Sequence, residues 1–298
     1  MIEIAEKHQF YSFDAQGMEP VEHVADGEIV RFHTQDCYAG LLKTEQTRRE
    51  EILHLCPPAN PTTGPVYVEG AQPGDTLKVE VLAIYPSDHG TMRVRPGVGA
   101  LGDAVEAEHV RIFPIHSTEW IDFDGLRVEL RPMIGVIGVA PKEGQWDTDT
   151  PHKHGGNMDN RDITAGCTLY FPVHQEGALF GLGDVHAQMG DGEVCICGLE
   201  MAATVDVRLS VIKGRQEEWP MWERDGQWSV MCSEKTLDEA AKDARYAMLT
   251  FLKKRVDIPN DDLTMLLSLI GDTAVCQVVD PLQTVRFTLR QRIGDVAF

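Results

Sequence analysis

The sequence predicts a mainly β fold, with sandwich or barrel-like antiparallel sheets and two helices near the C-terminus. Residues 1 to about 230 form short β-branched or alternating runs, separated by Gly, Pro and Asp-Gly turn signals. No long helical pattern alternates with these runs, which disfavours a parallel β-α-β sheet. The clearest strand candidates are residues 66–70, 76–85, 126–130 and 205–213.

The two helices are predicted by a change of hydrophobic period. Residues 233–256 are rich in Ala, Leu, Glu and Lys, and their apolar residues recur three and four positions apart, as in an amphipathic helix. Pro259 marks the end of this helix. Asn260, with two following aspartates, predicts the start of a second helix that stops at Gly271. Residues 275–289 then return to a strand pattern.

One compact unit is expected over residues 1–298. The chain is long enough to bury a large core, and it contains no internal repeat, low-complexity tract or linker. Within this unit we expect a β-rich body, a helical insertion and final strands, at about residues 1–230, 234–270 and 274–292.

The charge balance restricts the possible partners. The 47 acidic residues outnumber the 27 basic ones and give a formal net charge of −20. The resulting field repels phosphate backbones and anionic membrane surfaces, so neither nucleic acid nor a membrane is expected as a partner. A neutral small molecule, or a cation held by carboxylates, is compatible with this field.

Localisation in the cytoplasm is expected. The N-terminal segment carries Glu3, Glu6 and Lys7 and lacks the apolar stretch of a signal peptide. No apolar run approaches the ~20 residues that span a bilayer. The seven cysteines are an odd number without a CxxC pair, which indicates reduced thiols rather than a disulfide framework.

The densest group of ligand-type residues lies in one predicted hairpin. Asp184, His186 and Gln188 alternate along the chain, so on a strand all three point to one face. The Gly190-Asp-Gly turn signal predicts a returning strand that brings Glu193 opposite the Gln188 end. Oxygen and imidazole ligands of this kind suit a divalent ion, with zinc first and calcium or manganese as alternatives.

A second segment offers His152, His154, Asn157 and Asp159 around a Gly-Gly pair that allows close backbone approach. Taken singly, an Asp or Asn in such a turn is explained by turn chemistry. Taken jointly with the predicted hairpin, inward-facing acids and imidazoles need pairing or a metal, because their burial is otherwise costly. His154, Asn157 and Asp159 can thus complete a metal site or line its pocket.

Long motifs at residues 60–77, 132–141, 154–159 and 183–193 follow one another along most of the chain. In these motifs the sequence resembles the acetamidase/formamidase family. The resemblance implies a β-rich fold with a bound divalent metal, and hydrolysis of formamide and acetamide to ammonia and the carboxylic acid. The predicted metal ligands, which match positions in or near the family motifs, are Asp36, His154, Asp184, His186 and Glu193.

Metal-dependent hydrolysis of a small linear amide is therefore the first functional hypothesis. Glu193 or His152 would relay a proton to the departing amine. Asn157, with the backbone N–H groups of Gly155 and Gly156, would stabilise the oxyanion. The expected partner is a small-molecule amide substrate, and the expected assembly is a homo-oligomer, a dimer.

Two alternatives remain open. A thiol-dependent amidase would use Cys37 or Cys167 as its nucleophile, although neither has a basic neighbour in sequence to lower the pKa of its thiol. Cys195 and Cys197 share a predicted strand face and can bind a soft metal, but burial in the core is the commoner role of cysteine. The second alternative is a non-catalytic β protein that binds a metal or ligand, since a fold does not fix a function.

Overall fold

The computed structural model describes residues 1–52, 54–293 and 296. The helices in this part of the chain are α1 (Arg49–Ile52), α2 (Leu237–Lys253) and α3 (Asn260–Ile270), with a short 3-10 turn at Gly102–Ala104. The strands follow one another as β1 (Ile2–Ile4), β2 (Gln9–Phe10), β3 (Ser12–Asp14), β4 (Glu22–Val24), β5 (Ile29–Thr34), β6 (Thr62–Val68), β7 (Thr76–Pro86), β8 (His89–Val94), β9 (His109–Pro114), β10 (Trp120–Phe123), β11 (Leu126–Glu129), β12 (Met133–Gly138), β13 (Gln145–Asp147), β14 (Gly155–Asn157), β15 (Thr168–Pro172), β16 (Phe180–His186), β17 (Glu200–Met201), β18 (Ala203–Ile212), β19 (Met221–Arg224), β20 (Gln227–Glu234), β21 (Gly271–Gln277) and β22 (Gln283–Leu289).

The predicted mainly β fold is confirmed. Within the described residues the strands form two nine-stranded sheets and two small ribbons, β10 with β11 and β3 with β13. The first sheet has the order β1-β5-β18-β7-β15-β19-β20-β22-β21. The second follows the path β14-β12-β16-β17-β8-β9, and β6 pairs with β16 while also carrying β2 and β4. Neighbouring strands are antiparallel except for β1 with β5 and β4 with β6.

The two large sheets share one apolar core. Phe32, Leu77 and Val205 enter it from the first sheet, and Ile134 and Leu182 from the second. Along β5 every second residue is buried, which is the period of a strand with one face in a core. Over residues 1–52, 54–293 and 296, neither sheet closes on itself, so the arrangement is a sandwich rather than a closed barrel.

The two long helices cover one end of the first sheet. α2 begins after Thr236, whose hydroxyl oxygen accepts a hydrogen bond from Glu239 N and so caps the helix. Phe251, on the buried face of α2, packs against Trp228 of β20 with their ring centroids 5.0 Å apart. These two residues and Val285 of β22 belong to a second hydrophobic core. This apolar stripe positions the helix on the sheet.

The C-terminal elements follow the predicted order. α3 begins at Asn260 and ends at Ile270 as predicted, but β21 starts at once with Gly271. The sequence does not predict α1, which has only four residues. Residues 53, 294, 295, 297 and 298 of the predicted unit lie outside the described residues. Among the helices that are described, none has the length and apolarity needed to cross a membrane.

Candidate active site

The site forms where β16 pairs with β17 and β12. His186 lies opposite Glu200 in the antiparallel register, and Asp184 precedes it by two residues on β16. Asp184 has a left-handed φ of 50° and lies against Gly135 of β12. A Cβ atom at Gly135 would lie 2.5 Å from Asp159 Oδ1, so the close approach of these carboxylates requires glycine there.

His186 is surrounded by carboxyl groups. Its Nε2 lies 3.2 Å from Glu200 Oε2 and 3.5 Å from Asp184 Oδ1, and its Nδ1 lies 3.9 Å from Asp159 Oδ1. These four side chains are at most 4% exposed. Both ring nitrogens and the facing carboxylate oxygens lack a hydrogen-bond partner among the described residues. Buried polar atoms in this state are costly unless a further partner satisfies them.

The cluster opens into a cavity of about 560 Å³, which we call the acid pocket. Asn60 Nδ2 donates to Asp184 Oδ2 at 2.8 Å, and Asn157 Nδ2 donates to Asp280 Oδ2 at 3.1 Å. These bonds fix two of the carboxylates in position. The acidic side chains that line the acid pocket are Asp149, Asp184, Glu193, Glu200 and Asp280.

Burial and crowding change the protonation of this cluster. Burial raises the pKa of Glu200 to about 8 and that of Asp159 to about 6. Burial, with the charge of Asp159, also raises the pKa of Glu193 and Asp280 well above the ordinary range. Burial lowers the pKa of His186, but the neighbouring carboxylates outweigh this and hold it well above its ordinary value. Near neutral pH the cluster therefore holds several protons.

The metal-free protein should lose stability as the pH rises. The folded-state pKa of Glu200 is about 8 against 4.5 in an ordinary environment, so the folded state keeps a proton that the unfolded state releases. This stabilisation is complete below about pH 4.5 and is lost as the pH rises towards 8, and the raised pKa of His186 acts in the same direction. We expect the urea concentration at the unfolding midpoint of metal-free protein to decrease as the pH is raised from about 5 to 8.

Glu200→Gln should flatten this dependence, because the amide does not titrate. Glu119→Gln, at an exposed carboxylate, is the matched control and should leave the slope unchanged. A wild-type midpoint that stays constant or rises over the same range would contradict the assignment of buried, protonated carboxyl groups.

The structure brings two of the predicted ligands, Asp184 and Glu193, close to His186. His186, Glu193 and Asp159 each place one ligand atom within 4.8 Å of the others. The predicted hairpin with its turn at Gly190-Asp-Gly is wrong, because β16 ends at His186 and residues 187–199 form an irregular loop before β17. Glu193 reaches the cluster from this loop, with a left-handed φ of 47°.

The expected convergence of Asp36 on this group is not observed. Its Oδ1 accepts hydrogen bonds from two backbone N–H groups of its own loop, at 2.9 and 2.8 Å, and so orders that loop. The adjacent Cys37 does reach the acid pocket and offers a ligand atom within 4.8 Å of those of Asp184 and Glu200. Burial, with the charges of these carboxylates, raises the pKa of the Cys37 thiol well above its ordinary value.

The expected convergence of His154 is not observed either. His152 and His154 line a separate cavity of about 710 Å³ with Trp146 and Trp219, and its described lining shares no side chain with the acid pocket. Burial lowers the pKa of His154 to about 3, so the imidazole is neutral. Two glycines with left-handed φ of 100° and 84° separate His154 from Asn157 and turn them to different cavities. Roles for His152 and His154 stay predictions.

The four cysteines considered in the sequence analysis lie in three environments. Cys195 and Cys197 lie in the irregular loop rather than on a strand face, which corrects the prediction, and their Sγ atoms are 3.7 Å apart. Cys167 is 1% exposed in the main core, and burial raises the pKa of its thiol. The Cys37 thiol borders the carboxylates of Asp184 and Glu200.

Sequence reasoning missed Glu200, Asn60 and Asp280. Glu200 faces His186 only because the loop before it is long, which the Gly-Asp-Gly turn signal does not suggest. Asn60 and Asp280 reach the acid pocket from segments far away in sequence. Asn60 stands in a motif that supports the family resemblance, which is the one signal for its role.

Comparisons with known proteins agree on one family. The sequence model of the Acetamidase/Formamidase family matches residues 14–149 and 142–292. The crystal structure of an acetamidase from Bacillus halodurans is 41% identical, with a TM-score of 0.92 over 97% of both chains. That of a predicted acetamidase/formamidase from Thermoanaerobacter tengcongensis is 36% identical, with a TM-score of 0.92 over 97% of this chain and 95% of its own.

Curated sequences give more distant matches. A putative formamidase from Schizosaccharomyces pombe is 25% identical over 260 residues, which cover 64% of this chain and 61% of its own. An acetamidase from Mycolicibacterium smegmatis is 26% identical over 54% of this chain and 56% of its own. The chain spans between 51% and 61% of the length of the curated relatives it matches.

Proposed function

The chain belongs to the Acetamidase/Formamidase family, and we propose that it hydrolyses a small linear amide, of the formamide or acetamide type, to ammonia and a carboxylate. The reaction would take place in the acid pocket with a divalent metal ion. The observation that carries the proposal is the His186 cluster, whose buried imidazole and carboxylates face one another without hydrogen-bond partners among the described residues. Relatives named acetamidase and formamidase support the reaction class.

The donor atoms of the cluster fit a divalent cation. Imidazole nitrogen and carboxylate oxygen are ligands that zinc accepts, with manganese and calcium as alternatives. A cation among the buried carboxylates would remove their mutual repulsion and satisfy the unpaired atoms. The residues that would hold the ion are Asp159, Asp184, His186 and Glu200, while Glu193 stands beside them as a protonated carboxyl group.

When bound, such an ion would lower the pKa of a water molecule towards neutrality and polarise the amide carbonyl. Asn157 would bind the NH2 group of the substrate amide. Its Nδ2 donates to Asp280, and its Oδ1 has no hydrogen-bond partner in the described part of the chain, so the oxygen can accept from the substrate NH2 group. This positioning role replaces the oxyanion role that the sequence suggests for Asn157.

Departure of the amine requires a proton at the leaving nitrogen. Burial raises the pKa of Glu193 well above its ordinary value, so its carboxyl group holds a proton near neutral pH. Glu193 lines the acid pocket and is therefore our candidate for the proton donor. His152, the other predicted relay, lines the separate cavity and is less well placed.

Ammonia release from a panel of amides tests the proposal. Protein stripped with EDTA and then supplied with zinc, manganese or calcium would be assayed on formamide, acetamide and longer linear amides. We expect turnover to be lost on stripping and restored by at least one ion, because the cluster supplies its chemistry only when a cation is held. Unchanged turnover after complete removal of metal would contradict the metal mechanism.

The two alternatives make different predictions in the same assay. A thiol amidase would lose activity after iodoacetamide or after Cys37→Ala or Cys167→Ala, with or without metal. The raised pKa values of both thiols argue against a thiolate nucleophile. A non-catalytic binding protein would bind metal but release no ammonia from any amide of the panel.

We also propose a compartment and an assembly. All seven cysteines lie in the described part of the chain and are free thiols, which supports the cytoplasm as the compartment. The homodimer stays a prediction, which sedimentation of the metal-loaded protein would test.

A further inference from the structure

Two thiols lie side by side in the loop between β16 and β17. Cys195 Sγ is 3.7 Å from Cys197 Sγ and donates a hydrogen bond to Cys197 O at 3.3 Å. Cys195 is half-buried, so a small solute can reach it, whereas Cys197 is buried. The pair therefore combines an accessible thiol with a second thiol close enough to react with it.

The backbone around the pair is held in an uncommon conformation. Ile196, between the two cysteines, has a left-handed φ of 67°, which is rare for a β-branched residue. The buried thiol is tied to β8, because Cys197 Sγ accepts from Arg93 N at 3.4 Å and donates to Arg93 O at 3.3 Å. A change at Cys197 Sγ must therefore break contacts that hold this loop.

The loop leads directly into the acid pocket. Gly198 follows Cys197, and its N–H donates to Glu200 Oε1 at 2.8 Å. A Cβ atom on Gly198 would lie 2.5 Å from His186 Nδ1, so its backbone is in close contact with the imidazole. Movement of Cys197 is thus transmitted through one residue to both Glu200 and His186.

We propose that Cys195 and Cys197 are an oxidative modification site, at which hydrogen peroxide forms a disulfide that switches the acid pocket off. The sulfur of Cys195 attacks one peroxide oxygen, the O–O bond breaks, and water leaves with a sulfenic acid on Cys195. The sulfur of Cys197 then attacks that sulfur, the S–O bond breaks, and a second water leaves. Two thiols are oxidised and one peroxide is reduced to two water molecules.

Disulfide formation closes the 3.7 Å gap between the sulfur atoms. Cys197 Sγ then loses its bonds to Arg93, and Gly198 shifts relative to Glu200 and His186. Loss of turnover follows because small displacements in a preorganised site are expensive. This second part rests on the proposed function, whereas disulfide formation does not.

Peroxide treatment of the metal-loaded protein tests both parts. Intact mass should fall by about 2 Da, with the loss mapped to the peptide that contains both cysteines, and dithiothreitol should reverse it. Ammonia release should fall by about tenfold or more and recover with the reductant. Cys195→Ser should show neither change and should keep untreated turnover within about twofold of wild type. Cys195→Ala provides a second variant with the same expectation.

Cys232→Ser is the matched control, because Cys232 is buried in β20 and should leave the peroxide response intact. The proposal is overturned if peroxide adds oxygen to Cys195 without forming the disulfide. It is equally overturned if the disulfide forms while turnover is unchanged. Absence of ammonia release before treatment would instead contradict the proposed function, and the mass measurement would still decide on disulfide formation.

Discussion

Replacing His186 by alanine should abolish both metal binding and amide hydrolysis. The imidazole lies between Glu200, Asp184 and Asp159 at 3.2 to 3.9 Å, so its loss removes a proposed ligand and leaves the carboxylates facing one another. We expect ammonia release to fall by about a thousandfold or more. Elemental analysis of the purified variant should show that its divalent metal content falls together with turnover.

His116→Ala is the matched control for this variant. His116 is exposed in the loop between β9 and β10, so its removal should change neither metal content nor turnover. Circular dichroism of both variants establishes that the sheets are intact. If His186→Ala retains full metal content and full activity, the ligand assignment for His186 is wrong.

Replacing Asp184 by asparagine should reduce turnover by about a hundredfold or more. Asparagine tolerates the left-handed φ of 50° at this position, and its side-chain oxygen can still accept from Asn60. The substitution therefore removes the negative charge while preserving backbone and shape. We expect kcat to fall and the metal concentration needed for half-maximal activity to rise.

A buried carboxylate elsewhere provides the control for charge removal. Asp206 accepts hydrogen bonds from Arg31 at 2.7 and 2.8 Å within the first sheet, away from the cluster. Asp206→Asn should lower the unfolding midpoint and leave turnover unchanged. Equal losses of turnover in the two variants would mean that Asp184 acts through stability alone.

Much of the fold follows from local sequence pattern. β7 and β18 are long alternating runs, so their positions are predictable from period alone. α3 is predicted with its observed bounds because Asn260 and the following aspartates mark its start and Gly271 its end. The pairing of these strands into two sheets depends on contacts between distant segments, which one sequence does not specify.

The candidate site is predictable only where it is local. Asp184 and His186 lie 3.5 Å apart and are two residues apart on one strand, and that spacing is visible in sequence. Glu200 joins them through strand pairing across a long irregular loop. Asp280 comes from the turn between β21 and β22, so its presence depends on tertiary structure alone. His154 is predicted as a metal ligand from its place in a family motif, but its side chain lines the other cavity.

We propose that the acid pocket holds the ion on which amide hydrolysis depends. Anomalous diffraction from crystals of the active, zinc-loaded protein tests it most directly. We expect an anomalous peak about 2.0–2.2 Å from a His186 ring nitrogen and from at least one carboxylate oxygen of Asp159, Asp184 or Glu200. A fully active protein whose anomalous peak lies outside this cluster, or that shows no peak at all, would contradict it.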